Sequence, residues 1–317
     1  MIKNKIAGVK PFNSFFFRSC YYHQLLAGLA SFEIDLDMII LNSFVFIDEG
    51  FSAEDRDLWG ERKLARAIGY KNKKCNLNRK KLVRFIDSGS PIIVGVDCYY
   101  LESRPDTYLK KNCAHFILVY GYDLEKGTLN IIDHNYINSG EYMEKEVSME
   151  NVLLANRMFH VGIYKRKYTC RRLKKVKKKK EFHLHRLINK NNLKSNQNLS
   201  LKNLDELKRL CVSDLQRLEQ QADKIVEYLK TLKGFYFSLS KRRVFLKDNR
   251  MSVKVTEVVN GYSNILSLLW KMRAQGDYTY ATKKQDSILR KIDEIQQAEK
   301  EVYDFLLEVE NERISND

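Results

Sequence analysis

Proline stops early in this chain, and glycine nearly does. All three prolines and eleven of the fourteen glycines precede Tyr164, while residues 164–317 contain only Gly234, Gly261 and Gly276. Inside a helix each glycine costs ~1 kcal/mol and each proline ~3 kcal/mol relative to alanine. A stretch this long and nearly free of both can be helical throughout. The earlier part holds the residues that turns and strands require. The expectation is an α+β chain: a mixed domain with an antiparallel sheet over residues 1–164, a linker over 165–200 and an all-α domain over 201–317.

Charge marks the linker. Residues 164–195 carry 14 Lys or Arg against one acid, Glu181, a surplus of +13 in a chain whose net charge is +16. Such a block repels itself and is read first as solvated, with Lys177–Lys180 at its centre. Docking of an acidic partner protein is the second reading. Nucleic acid is the third, since no aromatic interleaving or recognised module accompanies the charge.

Composition excludes several classes. Hydrophobic residues make up 44%, enough for a core, so global disorder is ruled out. No run approaches 18 apolar residues, and the Phe15–Phe17 cluster is too short for an export signal and meets Arg18 at once. Six scattered cysteines without such a signal point to reduced thiols in a cytoplasm. No CxxC or HxxxH pair occurs, which leaves no metal site to expect.

In the second half Leu204, Cys211, Leu218, Ile225 and Leu232 recur every seven residues. Further stripes run from Val255 to Trp270 and from Ile288 to Val309, with Gly276 and Asp277 between them. Three long antiparallel helices packed by these seams are the simplest solution, with no inward polar groups to hold a cofactor.

The chemistry is in the first half. Ser19 is a plausible N-cap for a helix running through Tyr21, Tyr22, Leu25, Leu26 and Leu29, which sets Cys20 in the first turn. Exposed backbone N–H groups and the dipole favour a thiolate there by a few tenths to ~1 kcal/mol. Pro91–Val96 and His115–Tyr122 read as strands, and Thr128–Asp133 as the return of a hairpin turning near Leu124–Lys126. His115 begins one strand and Asp133 ends the other, so the two side chains can be direct or diagonal neighbours. Carboxylate, imidazole and thiolate are the parts of a Cys-His-Asp nucleophile system.

Other assignments stand beside it. Cys20 could be a small buried hydrophobe and His115 a structural hydrogen-bonder, and Asp133 could order the turn at Asn135. Cys98 and Cys113 compete as nucleophiles, Cys75 lies in a lysine-rich loop, and His23 sits one turn from Cys20. His134 is expected to point away from Asp133. The meeting of Cys20 with His115 does not follow from spacing.

Four segments in order, Ser19–Tyr22, Pro91–Tyr100, His115–Asp123 and Asn130–Asp133, resemble the butirosin-biosynthesis protein H family over about residues 1–163. The resemblance implies a papain-like, bacteriocin-peptidase-like cysteine domain that works as an acyltransferase. It takes an acyl group from a carrier-protein thioester and passes it to an amine, as in nonribosomal peptide or polyketide antibiotic biosynthesis. Carried over by motif, Cys20 is the nucleophile, His115 the base and Asp133 the orienting acid. Asn13 is the nearest candidate for the oxyanion, and Asp97 and Tyr99 for substrate placement, with loop order the other role for Asp97. The expected partners are an acidic acyl or peptidyl carrier protein, meeting the basic segment, and a small amine. No cofactor is expected, because phosphopantetheine belongs to the carrier. A thioesterase or cysteine peptidase using the same triad is the first alternative, and a non-catalytic scaffold the second.

Overall fold

The structure is a computed structural model. It describes residues 2–13, 19–34, 36–134, 136, 141–165, 168–177, 190–242, 249–276, 278–279 and 283–314. Phe15–Phe17, Asn135, Lys178–Lys180 and Asp277 therefore lie outside the described residues. The fold is α+β: a seven-stranded antiparallel sheet, then a run of helices.

Two compact units divide the chain, and not at the basic segment alone. Described residues up to 39 and from 60 to 177 form the sheet unit, whereas residues 40–59 join the helices from 190 onward.

In the sheet unit the strands are β1 (Lys3–Lys5), β4 (Tyr70–Cys75), β5 (Ile92–Asp97), β6 (Ala114–Asp123), β7 (Thr128–His134), β8 (Tyr142–Ser148) and β9 (Cys170–Lys175). Their order is β4-β9-β5-β6-β7-β8, and β1 pairs with the far end of β6. One core joins α4 (Arg79–Asp87) and α5 (Met149–Met158) to alternate residues of the sheet, among them Ile92, Val94, Val96, Ile117, Val119 and Ile131. α1 (Cys20–Ala30) packs on β5 and β6, with Leu25, Leu26 and Leu29 fully buried.

β9 corrects one expectation. It lies inside the stretch read as a solvated linker, yet Cys170 and Leu173 are fully buried. Period-two alternation buries one face of a strand however basic the other residues are.

The helical unit holds α6 (Lys190–Ser213), α7 (Leu215–Ser240), α8 (Asn249–Gln275) and α9 (Gln285–Ile314). Among the described residues four long helices replace the expected three, because the seven-residue repeat runs across a break. Asp214 leaves helical geometry at φ −150° and its carboxylate accepts the backbone N–H of Arg217, capping α7. Trp270, expected in a buried stripe, is 52% exposed. The core also has inward polar groups: Glu299 is buried and accepts from Tyr262 (2.6 Å) and Ser200 (2.7 Å).

A hairpin unanticipated from sequence, β2 (Ser43–Asp48) and β3 (Ser52–Asp57), completes this unit. Asn196 and Asn203, seven residues apart on α6, bind its backbone as a neighbouring strand would. Asn196 spans Ile47 N–H and Val45 C=O, and Asn203 spans Phe51 N–H and Asp48 C=O.

Candidate active site

The site begins with a register shift. The β6–β7 ladder pairs Gly121 with Asn130 on the turn side and Val119 with Ile131 beyond it, so Tyr120 is an extra residue in β6. Extending the second register sets Asp133 across from Ile117, hence diagonal to His115 and on its face of the sheet. Extending the first would set Asp133 across from Leu118, on the opposite face. A one-residue slip reverses every side chain, so the bulge decides whether the two can meet. They do: His115 Nε2 and Asp133 Oδ1 are 2.7 Å apart and both residues are buried.

Asp133 is held among cations. Arg104 Nη1 lies 4.0 Å from Oδ1, and Lys145 Nζ lies 3.8 Å from Oδ2. Oδ1 also accepts the backbone N–H of His134 at 2.7 Å. Burial alone would raise the acid's pKa, but the His115 hydrogen bond and charge, then Lys145 and Arg104, hold it below its ordinary value. The carboxylate is therefore ionised. Arg104 is itself buried, forks onto Asp106 with two bonds of 3.0 Å, and donates to His134 Nε2 at 3.0 Å.

Cys20 opens α1 as expected, although Ser19 caps with its backbone only and makes no side-chain cap bond. The thiol is half-buried, and His115 is the side chain that most favours its ionised form. Since Asp133 takes Nε2, Nδ1 is the nitrogen left for sulfur. Burial pushes the Cys20 pKa up, but His115 and the backbone N–H groups of Phe116 and Tyr21 outweigh it and the net shift is downward. His115 moves the other way. Burial lowers its pKa, while Asp133 and then Cys20 raise it further, to about 9. A lowered thiol beside a raised imidazole shifts the pair toward thiolate and imidazolium.

The competing thiols lack this environment. Burial pushes Cys98 up to about 12 despite the charge of Arg104, and burial also raises Cys75. Cys113 is half-buried, and its sulfur contacts the Ala114 carbonyl.

Asn13 and His134 depart from expectation, and Asp97 takes one of the two roles expected of it. Asn13 is committed elsewhere: its amide donates to Tyr142 C=O (2.9 Å) and accepts Tyr142 N–H (2.8 Å), so it pairs with β8 rather than awaiting an oxyanion. Asp97 orders its loop, accepting from Tyr99 N–H, Cys113 N–H and the Asn112 amide. Tyr99 lies in the 3-10 turn after β5, edge-on to Tyr100. His134 does not point away. Its ring packs 4.5 Å from His115 and stacks on Tyr142, which stacks in turn on His23, so four rings run in a column beside the triad.

Arg104, Lys145 and Tyr142 escape sequence reasoning because they reach the site from a loop and from β8, outside the segments that carry the triad. Gln24 is also missed: it is fully buried with both amide atoms unpartnered, one turn along α1. Helical side chains lean toward the N-terminus, here the Cys20 end.

His115, Asp133 and His134 present ligand atoms within 4.8 Å of one another. As a metal site the cluster is poorly suited, because buried Arg104 and partly buried Lys145 already place two cations against its carboxylate.

Residues 61–134 match the family of butirosin biosynthesis protein H, N-terminal. This is the family that the sequence motifs resemble. The matched stretch carries His115, Asp133, Asp97 and Tyr99, and Cys20 lies before it. No curated protein matches the chain. No helix among the described residues is long and apolar enough to cross a membrane.

Proposed function

We propose that this protein is a cysteine acyltransferase that moves an acyl group from a carrier-protein thioester to an amine, in the manner of a butirosin-biosynthesis protein H-like biosynthetic enzyme. The observation that carries the reading is the Cys20–His115–Asp133 relay, with its paired shifts toward thiolate and imidazolium. The family match supports a biosynthetic rather than a digestive role.

In this reading the Cys20 thiolate attacks the thioester carbonyl. Backbone N–H groups at the start of α1 face the developing oxyanion. Collapse breaks the bond to the carrier sulfur, which leaves as a thiol with the proton from His115. The acyl-enzyme then meets an amine, whose proton passes to neutral His115 as nitrogen attacks. The second collapse expels Cys20 as thiolate, releases the amide and restores the ion pair once His115 retains that proton. Asp133 holds the imidazole orientation throughout, and the carrier supplies the phosphopantetheine arm as part of the substrate.

The test is an acyl-loaded carrier protein incubated with the full chain. Mass spectrometry should find the acyl group on Cys20 among the six cysteines, absent from Cys20→Ala, and a primary amine should release amide faster than water releases acid. An adduct that yields only free acid makes the protein a thioesterase. No adduct, together with peptide cleavage, makes it a peptidase.

A further inference from the structure

One side of the sheet ends in a strand pair with three like-charged couples. β4 is the edge strand, and its register on β9 sets Lys71 against Lys174, Lys73 against Arg172 and Lys74 against Arg171. Like charges directly opposed destabilise a strand pair. Edge lysines discourage aggregation, which accounts for β4. It does not account for Arg171 on an inner strand, or for Arg62 and Arg66, one turn apart on α3 (Glu61–Ile68). All six of the cations Arg62, Arg66, Lys71, Lys73, Lys74 and Arg171 line one cleft of about 550 Å³. Arg171 pairs with Glu61 at 3.3 Å, and the other five have no ion pair among the described residues.

One side chain links the cleft to the first turn of α1. Tyr21 follows Cys20, its hydroxyl donates to Glu61 at 3.1 Å and accepts from Asn72 at 2.6 Å, and the Arg171 guanidinium lies 5.1 Å from its ring. Glu61, Asn72 and Arg171 all line the cleft.

We propose that this cleft seats the phosphate group of the acyl donor, an inference that rests on the acyl-transfer reading above. A thioester on phosphopantetheine has its phosphodiester at the opposite end of a flexible arm from the reacting sulfur. A phosphate seat set back from Cys20 fixes that arm without touching the carbonyl. Arginine meets phosphate oxygens through a two-pronged fork, and the unpaired state of Arg62 and Arg66 leaves those forks available. A nucleic-acid strand fits less well, because the one tyrosine lining the cleft, Tyr70, is fully buried and offers no face for base stacking.

The experiment compares an acyl-4′-phosphopantetheine donor with the same acyl-pantetheine lacking phosphate, reading Cys20 acylation by intact mass. Wild type should react about tenfold or more faster with the phosphorylated donor, and in R62Q/R66Q the ratio should fall toward one. Equal rates in wild type overturn the seat while leaving acyl transfer standing. Calorimetric binding of 4′-phosphopantetheine, lost in R62Q/R66Q, supports the seat even where neither donor acylates Cys20, a result that sinks the acyl-transfer reading alone. A single-stranded oligonucleotide that displaces 4′-phosphopantetheine at lower concentration than inorganic pyrophosphate overturns the assignment in favour of nucleic acid.

Discussion

Replacing Asp133 by asparagine keeps the outline of a buried side chain and removes its charge. His115 then loses the partner that contributes most to raising its pKa from 6.5 to about 9, a difference equivalent to roughly 3 kcal/mol of preference for imidazolium. Without that cation the Cys20 thiolate keeps only the N–H groups of Phe116 and Tyr21 against its burial. Each unit by which the Cys20 pKa then rises slows alkylation by iodoacetamide at pH 6 by up to about tenfold. The difference should shrink toward pH 9.5, where an unassisted thiol of pKa about 8.5 is ionised as well. Peptide mapping assigns the label to Cys20, and thermal melting establishes that the variant is folded. The latter matters because Arg104 and Lys145 would lose the carboxylate between them, a change that typically costs about 3–5 kcal/mol. His115→Gln leaves that carboxylate in place and should show the same acid-side loss. If folded Asp133→Asn and His115→Gln both label at the wild-type rate from pH 5 to pH 8, the ion-pair argument is wrong.

Gly121→Ala tests the bulge, since a Cβ there would meet Asn130 Oδ1 at 2.5 Å and Cβ at 3.1 Å. Loss of about 1–3 kcal/mol in urea unfolding is expected, with partial recovery in the Gly121→Ala/Asn130→Gly double variant; no recovery would mean the clash is not with Asn130. Glu299 gives a pH test in the helical unit. Burial raises its folded pKa above 4.5, against weaker opposing donors Tyr262 and Ser200, so the folded chain keeps a proton that the unfolded chain has released. Stability from this group therefore falls as pH rises above about 4.5, and Glu299→Gln should flatten that part of the melting-temperature profile. An unchanged slope would show that Glu299 does not titrate with folding.

The hairpin brackets of His115 and Asp133 were readable because strand ends and a turn at Lys126-Gly127 are local signals. Their actual juxtaposition was not, since it depends on Tyr120, a residue that nothing in the alternation marks as extra. Cys20 was placed at a helix start by the apolar spacing that follows it, whereas its approach to His115 is a tertiary event. Arg104 reads as an ordinary loop arginine two residues from Asp106, and only the fold buries it. Charge misled in the other direction at β9, where a strand with four basic residues among its six hid two fully buried side chains, Cys170 and Leu173. The repeat from Leu204 to Leu232 gave the buried face correctly and the helix count wrongly, because Asp214 interrupts the backbone without interrupting the period.

Hairpin β2–β3 is encoded some 140 residues before the helix that clamps it through Asn196 and Asn203. During synthesis its backbone therefore waits for a partner not yet made, with Phe44, Val45 and Ile47 uncovered until the helices from Lys190 onward emerge. The same connectivity decides how the gene can be cut. A fragment ending near residue 164 keeps the triad but carries an orphaned hairpin and lacks β9, the strand between β4 and β5. A fragment beginning near residue 201 loses Asn196 and the whole hairpin that Phe235 and Tyr228 pack against. Either cut separates residues that belong to one compact unit.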